Sequence, residues 1–279
     1  MTLHTINTGF FKLDGGAMFG VVPKSLWQKL NPPDEKNLCT WAMRCLLIED
    51  GNKLILIDNG MGDKQDPKFM GHYYLHGDDS LIKSIRHAGF SEDDITDVFL
   101  THLHFDHCGG GVKLENGKPT LTFKNATYWS NADHWACATV PNAREKASFL
   151  KENILPMKES GHLQFTDPAK PSPFSQFDIF YSSGHTEKMM LPMIKYKDRT
   201  ICFMADLLPS SSHIPLPYIM AYDVRPLLSM EEKEKFLMIA LEKNVTLFFE
   251  HDPIHECGTL RQSERGIKLK ETFSMRDFS

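Results

Sequence analysis

At 279 residues, with 41% apolar and 24% charged side chains, the chain is long enough to bury a sizeable core and has the make-up of an ordinary globular protein. Its formal charge of -5 gives no electrostatic reason to expect nucleic acid or an anionic membrane as a partner. Six cysteines without CxxC spacing argue for reduced thiols, Met1 to Leu13 lacks the pattern of a secretory leader, and no apolar run nears ~18 residues, so the expected compartment is the cytoplasm.

A single domain over 1–279 is expected, since no linker, repeat or low-complexity tract divides the chain. Gly9 to Val22, rich in glycine and large apolar residues, predicts an opening strand followed by a loop able to reach over a site; Pro23, Pro32 and Pro33 prevent a long helix next to it. Ala42 to Ile48 and Leu54 to Ile57 are apolar, β-prone runs joined through Asp50-Gly51, a hairpin signal. Ser80 to Ala88 has helical spacing with Gly89 as its stop, and Ser91 with Asp94 resembles a helix cap. Asp97 to Thr101 reads as a buried strand. Arg144 to Glu159 and Met230 to Asn244 read as helices, and the proline-rich stretch 168–173 as a rigid loop.

The most chemically loaded stretch is Thr101-His102-Leu103-His104-Phe105-Asp106-His107-Cys108, followed by Gly109-Gly110-Gly111. Two histidines two residues apart can aim both rings one way from an extended segment, while Asp106 and His107 point elsewhere from the adjoining loop. Such a cluster can serve two metal ions. Three further β-prone runs end beside a metal-competent side chain: Asp178 to Ser182 before Gly184-His185, Thr200 to Ala205 before Asp206, and Val245 to Phe249 before Glu250-His251. Ligand sites in α/β proteins gather where strands end, so four such ends suggest one shared site. His4, His72, His76, His87, His134 and His162 lack that context and read as structural or solvated; His213 and His255 stand between a pocket and a surface role.

With these residues in place the chain resembles the metallo-β-lactamase superfamily, whose pattern is HxHxDH and then a His, an Asp and a final His after successive strands. It is most similar to the lactonase-like branch that contains the quorum-quenching N-acyl-homoserine lactonases, on the strength of Leu13 to Lys24, Met204 to Pro209, Ile219 to Asp223 and Phe249 to Asp252. The resemblance implies an α/β fold, an αβ/βα four-layer sandwich. It also implies a dinuclear site of two divalent metal ions, with zinc the leading candidate and manganese, iron or cobalt also suited to the ligand set. One ion would be held by His102, His104 and His185, the other by Asp106, His107 and His251, with Asp206 bridging.

The activity implied by the resemblance is that of a metal-dependent hydrolase, opening an uncharged lactone or related ester by attack of a metal-bridging hydroxide, with Asp106 passing a proton to the leaving oxygen. The tyrosine that relatives carry three residues after the bridging aspartate is Pro209 here, and Tyr222 or His213 would take its part in polarising the carbonyl. Met18, Phe19, Phe105, Ile219 and Met220 would line an acyl groove, and equally suit core packing. Cys108 reads as a packing residue. The expected partner is a small molecule, with neither nucleic acid nor membrane, in a chain that could form a homodimer. Two rivals share the ligand pattern. A glyoxalase II-like thioesterase would need cations for glutathione, which Arg261, Arg265, Lys268 and Lys270 could supply; an iron-dependent persulfide dioxygenase keeps one iron and lets the second ligand set lapse, whereas Asp106, His107 and His251 are all present.

Overall fold

The structure, a computed structural model, describes residues 1–278. The contacts within it divide the chain into two compact units, the first formed by Met1–Gly9 and Met43–Ser175 and the second by Phe10–Ala42 and the residues from Gln176 onward. Strands β1 (Thr2–Asp14) and β2 (Leu38–Asp50) have residues in both.

In the first unit, β3 (Lys53–Ile57), β4 (Asp97–Phe99), β7 (Thr127–Asn131) and β8 (Leu163–Thr166) complete a six-stranded sheet of order β1-β2-β3-β4-β7-β8, and β5 (Val112–Glu115) pairs with β6 (Lys118–Leu121) as a separate ribbon. β2 and β3 form the expected hairpin, with Asp50 opposite Lys53 and Gly51 at φ +61° where the turn needs the left-handed region. From β3 through β8 the neighbours are parallel. β4 is buried at every position, which explains why Val98-Phe99 reads as an unbroken apolar run.

The second unit contains β9 (Phe177–Ser182), β10 (Met189–Tyr196), β11 (Arg199–Phe203), β12 (Thr246–Phe248), β13 (Cys257–Ser263) and β14 (Gly266–Phe273), each hydrogen-bonded to the next. Only β11 and β12 run parallel, and the long helix Pro226–Glu242 connects them. It begins four residues earlier than its apolar spacing suggests, because Pro226 can occupy the first turn where its missing N–H costs nothing.

Three expectations are corrected. The opening strand starts at Thr2, and the predicted loop after it begins as the short helix Gly15–Phe19, capped by Asp14 Oδ1 accepting from Ala17 N at 2.8 Å. Only Lys151–Glu159 of the 144–159 stretch is helical, since Asn142 Oδ1 accepts from Arg144 N and Glu145 N and folds the preceding residues into turns. Ser91 and Asp94 close a turn on themselves with no helix behind it: Ser91 N and Oγ both donate to Asp94 Oδ2 at 2.7 Å. Among the described residues no helix is long and apolar enough to cross a membrane.

The core of the second unit is built on an aromatic stack. Phe19 is fully buried, its ring parallel to that of Trp27 at 5.3 Å and to that of His213 at 4.7 Å. Phe19→Ala should therefore cost about 3–5 kcal/mol in denaturant unfolding, and a loss under about 1 kcal/mol would show that the stack is not part of the core.

Candidate metal centre

In the first unit β4 ends at Phe99 and delivers the HxHxDH stretch. His102 Nε2 and His104 Nδ1 lie 3.1 Å apart, aimed at one point, and His107 Nε2 lies 3.8 Å from Asp106 Oδ2. All four side chains are buried. The rings are held from behind. Thr101 Oγ1 donates to Asp58 Oδ2 at 2.6 Å, which leaves its lone pairs to accept from His102 Nδ1 at 3.1 Å; the same Asp58 oxygen accepts from His107 Nδ1 at 3.0 Å. With the Nδ1 protons engaged, the Nε2 lone pairs of His102 and His107 remain for an ion.

The second unit supplies the other expected ligands. Asp206 offers one carboxylate oxygen to each of two rings: Oδ2 lies 3.1 Å from His185 Nε2, and Oδ1 3.2 Å from His251 Nε2. His185 Nδ1 meets Asp223 Oδ1 at 2.9 Å and His251 Nδ1 meets Ala42 O at 2.7 Å, so here too the far nitrogens are occupied. Each unit on its own presents buried imidazoles with Nε2 or Nδ1 converging on a neighbouring donor, a donor set that fits borderline divalent ions such as zinc.

Local sequence chemistry makes these placements possible. Gly109 and Gly110 let the HxHxDH loop pass close under the end of β3, where an added Cβ would come within 2.0 Å of Met61 O and 2.1 Å of Asn59 O respectively. Lys64 Nζ donates to Gly109 O, and Asn59 brackets the loop by donating its N–H to His107 O and accepting from Gly111 N. Asp58 and Ala205, which immediately precedes Asp206, have positive φ (+55° and +41°), strain characteristic of functional sites. Glu232, on the helix Pro226–Glu242, accepts from Ser182 Oγ, Ser183 N and Gly184 N, fixing the turn that carries His185.

The remaining predicted residues fall into two groups. Tyr222 is 41% exposed, and Ile219 is half-buried. Phe105 is buried against the rings of Phe69 and Tyr73, at 5.3 and 4.7 Å. Met18, Phe19 and Met220 are buried as well, and Phe19 packs in its stack. His213 has both ring nitrogens engaged, Nδ1 with Ser210 Oγ at 2.8 Å and Nε2 with Met18 O at 2.9 Å, and burial holds its pKa down at about 4, so it is a neutral ring fastening two segments together. Cys108 is a buried thiol, donating to Leu103 O and pushed up to about 12 by burial, as a packing residue should be.

Several supporting residues carry no sequence signal of their own. Asp58 looks like a turn residue, and Asp223 enters the sequence reading only as the end of the run Ile219 to Asp223; His134 looks structural, yet its Nε2 accepts from Leu103 N at 2.8 Å, between the two candidate ligand histidines His102 and His104. Lys233 is fully buried, and its ammonium donates to His213 O, Pro215 O and Tyr218 O at 2.8 to 3.1 Å, templating the loop that leads to Tyr222. Burial lowers its pKa to about 7.

Burial opposes a charged His185, but the carboxylates of Asp206 and Asp223 outweigh it and raise its pKa to about 10. In the metal-free protein that ring therefore carries a proton at neutral pH, and an ion must displace it. Metal affinity should climb as pH rises toward about 10. Calorimetry near pH ~7.5 in two buffers of different ionisation enthalpy should detect the released proton; binding with no release would overturn the assignment.

The metallo-β-lactamase superfamily profile matches residues 44–251. An N-acyl homoserine lactonase of Bacillus cereus is 22% identical over 242 residues, 82% of this chain and 87% of its own. Among solved structures, a probable metal-dependent hydrolase from Staphylococcus aureus superposes with a TM-score of 0.87 at 28% identity, covering 98% of both chains. A dizinc quorum-quenching lactonase, solved with a product bound, superposes at 0.79 and 23% identity, over 97% of this chain and 94% of its own. The profile spans most of the chain and includes all seven expected ligands, and the superpositions extend the likeness over nearly all of it: this protein has the metallo-β-lactamase fold and belongs to the metallo-β-lactamase superfamily of metal-dependent hydrolases.

Proposed function

We propose that the two units act as one hydrolase domain that opens a lactone or a closely related ester with a pair of divalent ions, zinc in the first instance. In this reading His102, His104 and His185 would hold one ion, Asp106, His107 and His251 the other, and Asp206 would be shared between the two sets. The observation that carries it is the pose of Asp206, whose two oxygens each face a different imidazole Nε2, as a carboxylate shared between two ions requires. Bound ions would supply Lewis acidity and a water nucleophile active at neutral pH. The chain's own residues do the rest. Asp106 carries a proton to the leaving alkoxide oxygen, and Tyr222 donates a hydrogen bond to the substrate carbonyl. His213, with no nitrogen to spare, is assigned to holding its loop. Ile219, half-buried, offers apolar surface to an acyl chain, while the buried Met18, Phe19, Phe105 and Met220 are assigned to the packing beneath.

An uncharged substrate is favoured by how the nearby cations are used. Arg225 donates to Ser183 O and pairs with Glu187, Lys233 is enclosed by three carbonyls, and Lys64 holds Gly109 O. A phosphodiester or a glutathione carboxylate would call for cations free to pair with it. A cytoplasmic location accords with six cysteines, none in a disulfide. A homodimer is also part of this reading.

Elemental analysis of protein purified without chelator, and after reconstitution, should give two metal ions per chain; one iron per chain in both preparations would favour the dioxygenase reading. In a panel with one metallated preparation, kcat/KM for N-acyl-homoserine lactones or simple γ- and δ-lactones should exceed that for lactoylglutathione and an aryl phosphodiester. A preference of more than about tenfold for either anionic substrate, roughly 1.4 kcal/mol of transition-state discrimination, would sink the lactonase reading.

A further inference from the structure

In the first unit the short helix Pro67–Tyr73 turns one face inward, that of Phe69, Met70 and Tyr73, which are half-buried while its other residues are exposed. Phe69 and Tyr73 lie one turn apart, and their rings close on Phe105: Tyr73 stands 5.1 Å from Phe69 and 4.7 Å from Phe105, and Phe69 stands 5.3 Å from Phe105. Phe105 opens the helical turn Phe105–Cys108, so the next residue in the chain is Asp106. Two ring contacts thus anchor Tyr73 beside the HxHxDH loop. It carries the one hydroxyl on the inward face of its helix, and that hydroxyl makes no hydrogen bond among the described residues. Burial, and after it the negative charge of Asp106, push the phenol up to about 12, so the carboxylate is within electrostatic reach and the phenol remains a donor. Packing would be served as well by phenylalanine; it does not account for the oxygen.

We propose that Tyr73 is a further catalytic residue, its hydroxyl donating a hydrogen bond to the substrate oxygen that departs. The role rests on the lactone or ester reading of the metal centre and adds to it a second group acting on the same oxygen as Asp106. When the carbon–oxygen bond of the tetrahedral intermediate breaks, its electron pair stays on the departing oxygen. Asp106 delivers to that oxygen the proton taken from the attacking water, and Tyr73 shares its own hydrogen without giving it up. Tyr222 acts at the other oxygen, the carbonyl. The hydrogen bond from Tyr73 strengthens as negative charge builds on the departing oxygen, so it favours the transition state over the bound ester. Its effect depends on the leaving group: an aliphatic alkoxide keeps the charge on one atom, whereas a phenoxide spreads it over a ring and has little need of a donor.

Tyr73→Phe removes one oxygen atom and leaves the ring contacts in place. With both proteins fully metallated, δ-decalactone, which releases an aliphatic alkoxide, is compared with dihydrocoumarin, the lactone of a phenol. The variant should lose at least about tenfold in kcat on δ-decalactone and less than about threefold on dihydrocoumarin, with its metal content unchanged. Equal losses on the two lactones, no loss on δ-decalactone, or a loss of metal would overturn the role of Tyr73 and leave the lactonase reading standing. Absence of turnover of both lactones by the wild type would overturn that reading and the role of Tyr73 with it. A second readout needs no turnover: in protein labelled with carbon-13 at tyrosine Cζ, the resonance that Tyr73→Phe removes should shift when 5-hydroxydecanoate, the ring-opened product, is added to saturation. An unmoved resonance would likewise overturn the proposal.

Discussion

A buried imidazole offers a metal ion one nitrogen, and the acceptor on the far side of the ring decides which one. In this protein that constraint governs much of the local architecture. Asp58 serves two rings, His107 directly and His102 through the Thr101 hydroxyl, and its other oxygen accepts from Thr101 N at 2.8 Å. One carboxylate at the end of β3 thus sets the orientation of ligands delivered by β4, which is why the parallel pairing of these strands matters. Their register, Ile57 opposite Phe99, brings Asp58 level with the start of the ligand loop. The left-handed backbone of Asp58 is the local cost of turning that carboxylate inward.

In the second unit the corresponding organiser is the helix Pro226–Glu242. Its residues act through backbone groups as well as through packing: Glu232 gathers the donors of the turn before His185, and Lys233 gathers the carbonyls of the loop 213–218. Adjacent positions on one helix therefore hold two different loops. Gly184 accommodates this close approach, since a Cβ there would lie 2.3 Å from Ser229 N. Arg225 N and Val224 N donate to Gly184 O and His185 O and complete the attachment.

These arrangements also decide what the surroundings of the ligands can recognise. A lysine or arginine near a catalytic centre usually signals an anionic substrate, but here Arg225, Lys233 and Lys64 are consumed by the chain's own carbonyls and by Glu187. Their charge stiffens loops.

The candidate ligand residues stand out in the sequence because metal chemistry restricts residue type and spacing: HxHxDH, and a His or Asp at the end of a β-prone run, are local patterns that survive in one dimension. The hairpin at Asp50-Gly51 and the apolar strand before His102 were legible for the same reason, being short-range consequences of turn geometry and burial. The groups that hold the ligands were not. Asp58, Asp223, His134, Glu232 and Lys233 act on partners 15 to 50 residues away, and a lone Asp or Lys in a sequence gives no sign of what it will meet. By the same limit the sequence does not separate pocket from core for Phe19 or pocket from surface for His213; the tertiary fold stacks one upon the other and uses both nitrogens of the histidine. Residue chemistry determines which atoms can bind a metal; only long-range packing decides which nitrogen faces it and which charges remain available.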